Sequence, residues 1–206
     1  MIDGHDTRTS SWKDLSNNGN DATIKALDYS AESGWEEKAI KLDGVDDEIV
    51  FPIQILEAGT FSVEVVFKEQ NHNTYTILYA DKEWGSFGFH TWNKFHNGIQ
   101  YTDGEVFIGA NYKAAGEIDR FLPGELGYKT SIGRTDSVVY TFNGNKKEMT
   151  VYVNGKRMAQ KTVTQDIEEI EYFYTSLTQK DYYRLSFYNK VLSEEEVKQN
   201  YNIDRS

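Results

Sequence analysis

The chain has 206 residues, no cysteine, 2 prolines and 14% aromatic side chains. Disulfide frameworks, cysteine–zinc sites and thiol nucleophiles are excluded, and 14 Tyr, 11 Phe and 4 Trp are too many for a disordered acidic chain. With 22 basic against 33 acidic residues the formal net charge is −11, a field that repels nucleic acid and anionic membrane.

No basic patch offsets that field: the densest basic run, Lys146-Lys147, is followed by Glu148. No segment approaches the roughly 18 apolar residues of a membrane span. The start, Met1-Ile2-Asp3-Gly4, has neither the basic nor the apolar stretch of a signal peptide. No linker or low-complexity stretch divides the chain, so residues 1–206 read as one domain, long enough to bury a sizeable core.

Short strands with Gly, Asn and Asp between them dominate the pattern. Phe61, Val63, Val65 and Phe67 alternate with Ser62, Glu64 and Val66, which predicts a half-buried strand. Tyr75, Ile77 and Tyr79 repeat the period, and so do Val138, Tyr140 and Phe142. Met149, Val151 and Val153 lead into Asn154-Gly155 and a second run from Lys156 to Val163, which predicts a type I′ hairpin. Tyr183, Leu185 and Phe187 alternate with Arg184, Ser186 and Tyr188 in a late strand. Ser193-Glu194-Glu195-Glu196 is a capping box, with Leu192 and Val197 placed as a hydrophobic staple, and predicts a helix to about Tyr201. The expected architecture is all-β, two packed antiparallel sheets with a short C-terminal helix.

Several segments carry a family resemblance. Trp12-Lys13-Asp14-Leu15-Ser16-Asn17-Asn18-Gly19-Asn20-Asp21-Ala22 resembles the opening motif of bacterial laminin-G-like domains with the concanavalin A-like jelly roll. Ile40-Lys41-Leu42-Asp43-Gly44-Val45-Asp46-Asp47 is similar to that family's L-x-F-D-G-V-D-D. The run Phe61–Phe67, the Tyr152-Val153-Asn154-Gly155 hairpin and the stretch from Leu185 to Glu196 match further motifs in order. The resemblance implies a curved sandwich of roughly 14 strands, usually a non-catalytic module of bacterial surface proteins, secreted polysaccharide-active enzymes or phage tails. The family normally opens with a full strand where only Met1-Ile2 precede Asp3-Gly4, so a fragment of a larger parent protein is expected, an oligomeric parent being one option.

Sugar rings offer an apolar C–H face to aromatic side chains and hydroxyls to Asn, Asp, Gln or His. The stretch from Asp81 to Asn97 holds two Trp, two His and two Asn. With Phe87 and Phe89 directed into the core, alternation places Gly88, His90 and Trp92 on the other face. Trp84, His90, Trp92, Asn93 and His96 then form a shallow glycan platform, extended by Tyr101, Asp103 and Tyr112; alternatively the two tryptophans close the ends of the sandwich. A second candidate is calcium: Asp43, Asp46, Asp47 and Glu48 crowd around Gly44, and Ca²⁺ takes oxygen ligands. The resemblance implies structural calcium at such a loop, with Asp3 as a helper; the alternative is an Asx-turn. Asp14 and Asn17 read as turn builders.

Catalysis is not expected. Glu117-Ile118-Asp119 resembles the E-I-D-x-x-E strand of laminarinase-type glycosidases, whose retaining mechanism needs a second carboxyl about 5–5.5 Å away. Arg120, Phe121 and Leu122 stand where that residue belongs. The histidines show no zinc spacing, and no phosphate loop or nucleophile elbow occurs. The resemblance, together with the Trp84–His96 cluster, implies an extracellular glycan-binding or adhesion module on a bacterial cell surface or phage virion, with a glycan of a bacterial or host surface as partner. An assembly domain packing against a partner protein is the alternative.

Overall fold

The computed structural model describes residues 10–36, 38–56, 59–71, 76–80, 87–92, 105–110, 120–121, 125–164, 169–176 and 178–203, with the backbone alone at 76, 87–92, 105–110, 120 and 176. Fifteen strands and one helix follow in chain order: β1 Ser11–Trp12, β2 Ala22–Lys25, β3 Gly34–Glu36, β4 Ala39–Asp43, β5 Glu48–Phe51, β6 Phe61–Glu69, β7 Thr76–Ala80, β8 Phe87–Trp92, β9 Glu105–Ala110, β10 Arg120–Phe121, β11 Thr135–Asn143, β12 Glu148–Val153, β13 Lys156–Thr162, β14 Phe173–Ser176, β15 Gln179–Tyr188 and α1 Glu194–Ile203. They form two antiparallel sheets, one of eight strands in the order β1-β2-β5-β14-β7-β8-β9-β10 and one of seven in the order β13-β12-β11-β6-β15-β4-β3. The chain passes repeatedly from one sheet to the other, so the sandwich has the winding of a jelly roll.

Between the sheets lies one apolar core. Phe61, Val63, Val65 and Phe67 of β6 and Val138, Tyr140 and Phe142 of β11 face Ile49, Phe51, Leu78 and Phe173 of the other sheet. Phe173 and Phe187 meet across the gap with ring centroids 4.9 Å apart. Core-facing residues of β6 and β11 stand directly opposite each other, as Val65 and Val138 do, which is how period-2 patterning fixes register.

Strand β6 is not half-buried as its alternation suggests. Ser62 and Glu64 are as fully buried as their apolar neighbours, and Val66 is buried as well. The reason is α1, which lies on the outer face of the seven-stranded sheet and buries Val197 with Leu192, Val139 and Tyr152. The capping box forms as expected: Ser193 N–H donates to Glu196 Oε2 at 2.8 Å and Glu196 N–H to Ser193 Oγ at 3.2 Å. Below the helix, Glu64 receives Arg184 at 2.8 Å and the Asn200 amide at 3.1 Å.

The Asn154-Gly155 hairpin also forms, with φ of 51° and 74° at its two central residues. Gly155 meets a second demand, because a Cβ there would lie 2.9 Å from the Tyr201 ring of α1.

Three of the described strands depart from simple alternation: β13, where Met158 is the extra residue against β12, and β15 and β7. In β15 the register shifts between Tyr182 and Arg184, so Tyr182 enters the core and its hydroxyl donates to the Ile77 carbonyl at 2.7 Å. The expected Tyr183, Leu185, Phe187 stripe is therefore Tyr182, Leu185, Phe187. In β7 a shift between Thr76 and Leu78 sends both Ile77 and Leu78 into the core. Tyr79 leaves the Ile77 face and stacks on Tyr174, while Tyr75 lies outside the described residues. An extra residue in one strand resets the phase of everything beyond it.

Candidate functional site

The loop between β4 and β5 carries Asp43, Asp46 and Asp47, each with a carboxylate oxygen within 4.8 Å of the others. The backbone makes this convergence possible by turning back at Gly44, φ 81°. Asp43 accepts the Val45 N–H at 2.7 Å, which is the Asx-turn named above as the alternative to calcium. Asp47 points inward, 1% exposed, and accepts the Asp43 N–H at 2.8 Å and the Ser33 hydroxyl at 3.1 Å. Burial, with the neighbouring charges of Asp43 and Asp46 adding to it, pushes the Asp47 carboxyl up to about 6 against these two hydrogen bonds.

Glu48 does not join the cluster. As the first residue of β5 it turns to the opposite side from Asp47 and pairs with Lys25 of β2 at 2.6 Å. Asp3 lies outside the described residues. The remaining set is three carboxylates, one buried, turned toward one another. An all-oxygen set of that kind suits a hard divalent cation, which takes further carbonyls or water to reach six to eight ligands. Asp14 behaves as a turn builder: it accepts from Ser16 N–H at 2.8 Å, Ser16 Oγ at 2.6 Å and Asn20 N–H at 3.0 Å.

The aromatic candidate is located only in part. Strand β8 runs inside the eight-stranded sheet between β7 and β9. Its register sets Phe87 and Phe89 opposite the buried Ala80 and Leu78 of β7, and Gly88 opposite Tyr79. His90 stands opposite Thr76 and Phe107, and Trp92 opposite Glu105. The expected division of β8 into two phases is thus present in the backbone. Trp84, Asn93, His96, Tyr101, Asp103 and Tyr112 lie outside the described residues.

Beside β8, a feature not anticipated from sequence comes into view. Tyr79 and Tyr174 lie with centroids 5.4 Å apart and planes inclined by 32°, and Tyr172 adds a third ring 6.2 Å from Tyr174. The signal was the alternation Tyr172-Phe173-Tyr174-Thr175, in which Phe173 and Thr175 are fully buried in the core and the tyrosines take the other face, where Tyr174 is itself buried between its neighbours. Of the glycosidase-like positions, Glu117–Asp119 lie outside the described residues. Phe121, within the segment where the second carboxyl would stand, is a core residue at 1% exposure.

No family model matches the sequence, and no curated protein matches it. The fold is well represented among solved structures. The botulinum neurotoxin serotype D binding domain superposes with a TM-score of 0.64 at 16% identity, over 95% of this chain and 51% of that one. The binding domain of botulinum neurotoxin DC, solved in complex with rat synaptotagmin II, gives 0.63 at 13%, over 92% and 48%. A sialidase of Trypanosoma rangeli, in complex with sialic acid, gives 0.66 at 16%, over 98% and 32%. The chain spans about half the length of the toxin domains and about a third of the sialidase. At these identities the likeness is one of fold, an antiparallel β-sandwich with a place among both binding domains and an enzyme.

Proposed function

We propose that the chain is a non-catalytic carbohydrate-binding module of the laminin-G-like type, recognising a cell-surface or cell-wall glycan outside the cell. The observation that carries this reading is the setting of β8: the strand bearing His90 and Trp92 runs beside β7, whose Tyr79 ring meets Tyr174 and, beyond it, Tyr172. Aromatic faces next to polar side chains are what a sugar ring requires. Two fold relatives support it from outside, one a toxin binding domain and one a sialidase holding sialic acid. The absence of a partner carboxyl at Arg120, Phe121 and Leu122 argues against glycoside hydrolysis.

Calcium belongs to the same reading. Held by Asp43, Asp46 and Asp47, with Asp3 as a further ligand, it would neutralise a buried carboxylate otherwise crowded by like charge. Its role here is structural, fixing the turn between β4 and β5.

The test is a glycan array together with a cell-wall pull-down, run on the wild type, Trp84→Ala and Trp92→Ala. Retention of a glycan by the wild type and its loss in either variant is the expected result. No retained glycan, combined with a stable complex or a discrete oligomer in light scattering, would favour an assembly domain instead. That second reading draws on the toxin domain captured with synaptotagmin.

A further inference from the structure

One line of register crosses all eight strands of the larger sheet: Ser11, Thr23, Val50, Tyr174, Tyr79, Gly88, Gly109 and Arg120 stand opposite one another in turn. Its neighbours in sequence, among them Ala22, Ile49, Phe173 and Ala80, are buried in the core, so this line belongs to the outer face. Near its middle the composition changes abruptly. Two tyrosines in contact are followed by two glycines directly opposite each other in adjacent interior strands.

Glycine inside a strand loses conformational freedom and offers nothing to pack, and where it persists it commonly marks the close approach of a ligand or another backbone. Two side by side leave two neighbouring positions of this line without a side chain, in strands about 4.8 Å apart. Tyr174 is wedged between its two neighbours, while Tyr79 and Tyr172 are only half-buried. The result is an aromatic step beside two adjacent positions that carry no side chain, with His90 and Trp92 further along the strand that contributes Gly88.

We infer that the Tyr172–Tyr174–Tyr79 step and the Gly88–Gly109 pair form the floor on which an uncharged polysaccharide lies, crossing the strands rather than following them. This rests on the carbohydrate-binding reading above and assigns it a floor and a ligand class. A pyranose stacks its C–H face on Tyr79, and the next unit lies over the glycine pair, where any Cβ would obstruct it. Charge selects the class: a chain with 33 acidic and 22 basic residues repels uronic or sialic acid polymers and is indifferent to neutral ones.

Affinity electrophoresis of the full chain in gels containing laminarin, xyloglucan, galactomannan or, as the acidic comparison, polygalacturonate tests it. Expected is retardation by at least one neutral polymer and none by polygalacturonate. Binding should weaken by about tenfold or more in Tyr79→Ala, a loss of about 1.4 kcal/mol, and in Gly109→Val, and survive in Tyr79→Phe. Tyr172→Ala at the rim decides the matter should Tyr79→Ala or Gly109→Val fail to melt cooperatively. Wild-type retardation unchanged in Tyr79→Ala, Tyr172→Ala and Gly109→Val overturns the floor and leaves the carbohydrate reading standing. Retardation by polygalacturonate alone overturns the neutral class. No retardation by any polymer removes this inference and counts against the reading beneath it.

Discussion

Asp47 and Glu69 are both carboxylates withdrawn almost completely from water, and the charges packed around them are opposite. Glu69, at the end of β6, meets the Lys180 ammonium of β15 at 2.9 Å, with both side chains fully buried. Burial draws Lys180 below the ordinary lysine range, and the Glu69 charge resists that shift. Asp47 has a hydroxyl and a backbone N–H for company, and beyond them Asp43 and Asp46. A buried charge therefore does not by itself mark a functional site. The sign of its neighbours separates a pair that completes itself within the fold from a cluster that a cation from outside would complete.

The comparison can be broken most forcefully from the Lys180 side. Lys180→Met leaves Glu69 buried without its counter-charge and should cost about 3–5 kcal/mol in guanidinium unfolding. Adding Glu69→Leu should return the protein to within about 1 kcal/mol of wild type or above it; a double variant as unstable as the single one would show that more than the pair is at stake. On the Asp47 side, calcium at about a hundred times its dissociation constant should stabilise the wild type by about 2.7 kcal/mol. Calorimetry with and without chelator reads this, and Asp47→Asn should show no such difference.

A smaller effect appears with pH in the metal-free protein. The folded-state value of about 6 lies above the ordinary 3.8, so the Asp47 contribution is complete below about 3.8 and lost as the pH rises through about 6. Melting temperature should fall over that interval in the wild type, and the fall should be shallower in Asp47→Asn. Smallest is Asp46→Asn: its carboxylate is exposed, so without calcium the change should stay within about 0.5 kcal/mol. In chelator-free titrations the same substitution should weaken calcium binding.

Features written in neighbouring residues were legible in the sequence. The Asn154-Gly155 turn and the Ser193–Glu196 capping box are closed by local geometry, and both form as their residues require. The alternation of Val138, Tyr140 and Phe142 was equally readable, since β11 has no shift against β6. Phase errors entered at Ile77–Leu78 and Tyr182–Arg184, where an extra residue is absorbed by a partner strand far away in sequence. The burial of Ser62 and Glu64 depends on a helix more than a hundred residues later. At the candidate metal loop, Asp43, Asp46 and Asp47 were found from their spacing. The departure of Glu48 toward Lys25 and the support from Ser33 depend on cross-strand and loop contacts that spacing does not encode. The tyrosine step is not written in spacing, because Tyr79 of β7 and Tyr174 of β14 stand nearly a hundred residues apart and meet only by register, with Tyr172 just ahead of β14.

The position of the Asp43–Asp47 turn has a consequence for assembly. The turn carries the chain from one sheet to the other, and each of its ends is fastened by late strands: Asp43 opposite Gln179 of β15, Glu48 opposite Ser176 of β14. During synthesis those partners emerge long after the turn itself, and contacts so distant in sequence form slowly. The turn's own bonds, from Val45 N–H to Asp43 and from Asp43 N–H and the Ser33 hydroxyl to Asp47, join residues made early, whereas the late strands fix where its two ends sit in the two sheets. A cation held there would act as a clasp between the two sheets at that end, added to the strands that already fasten the turn.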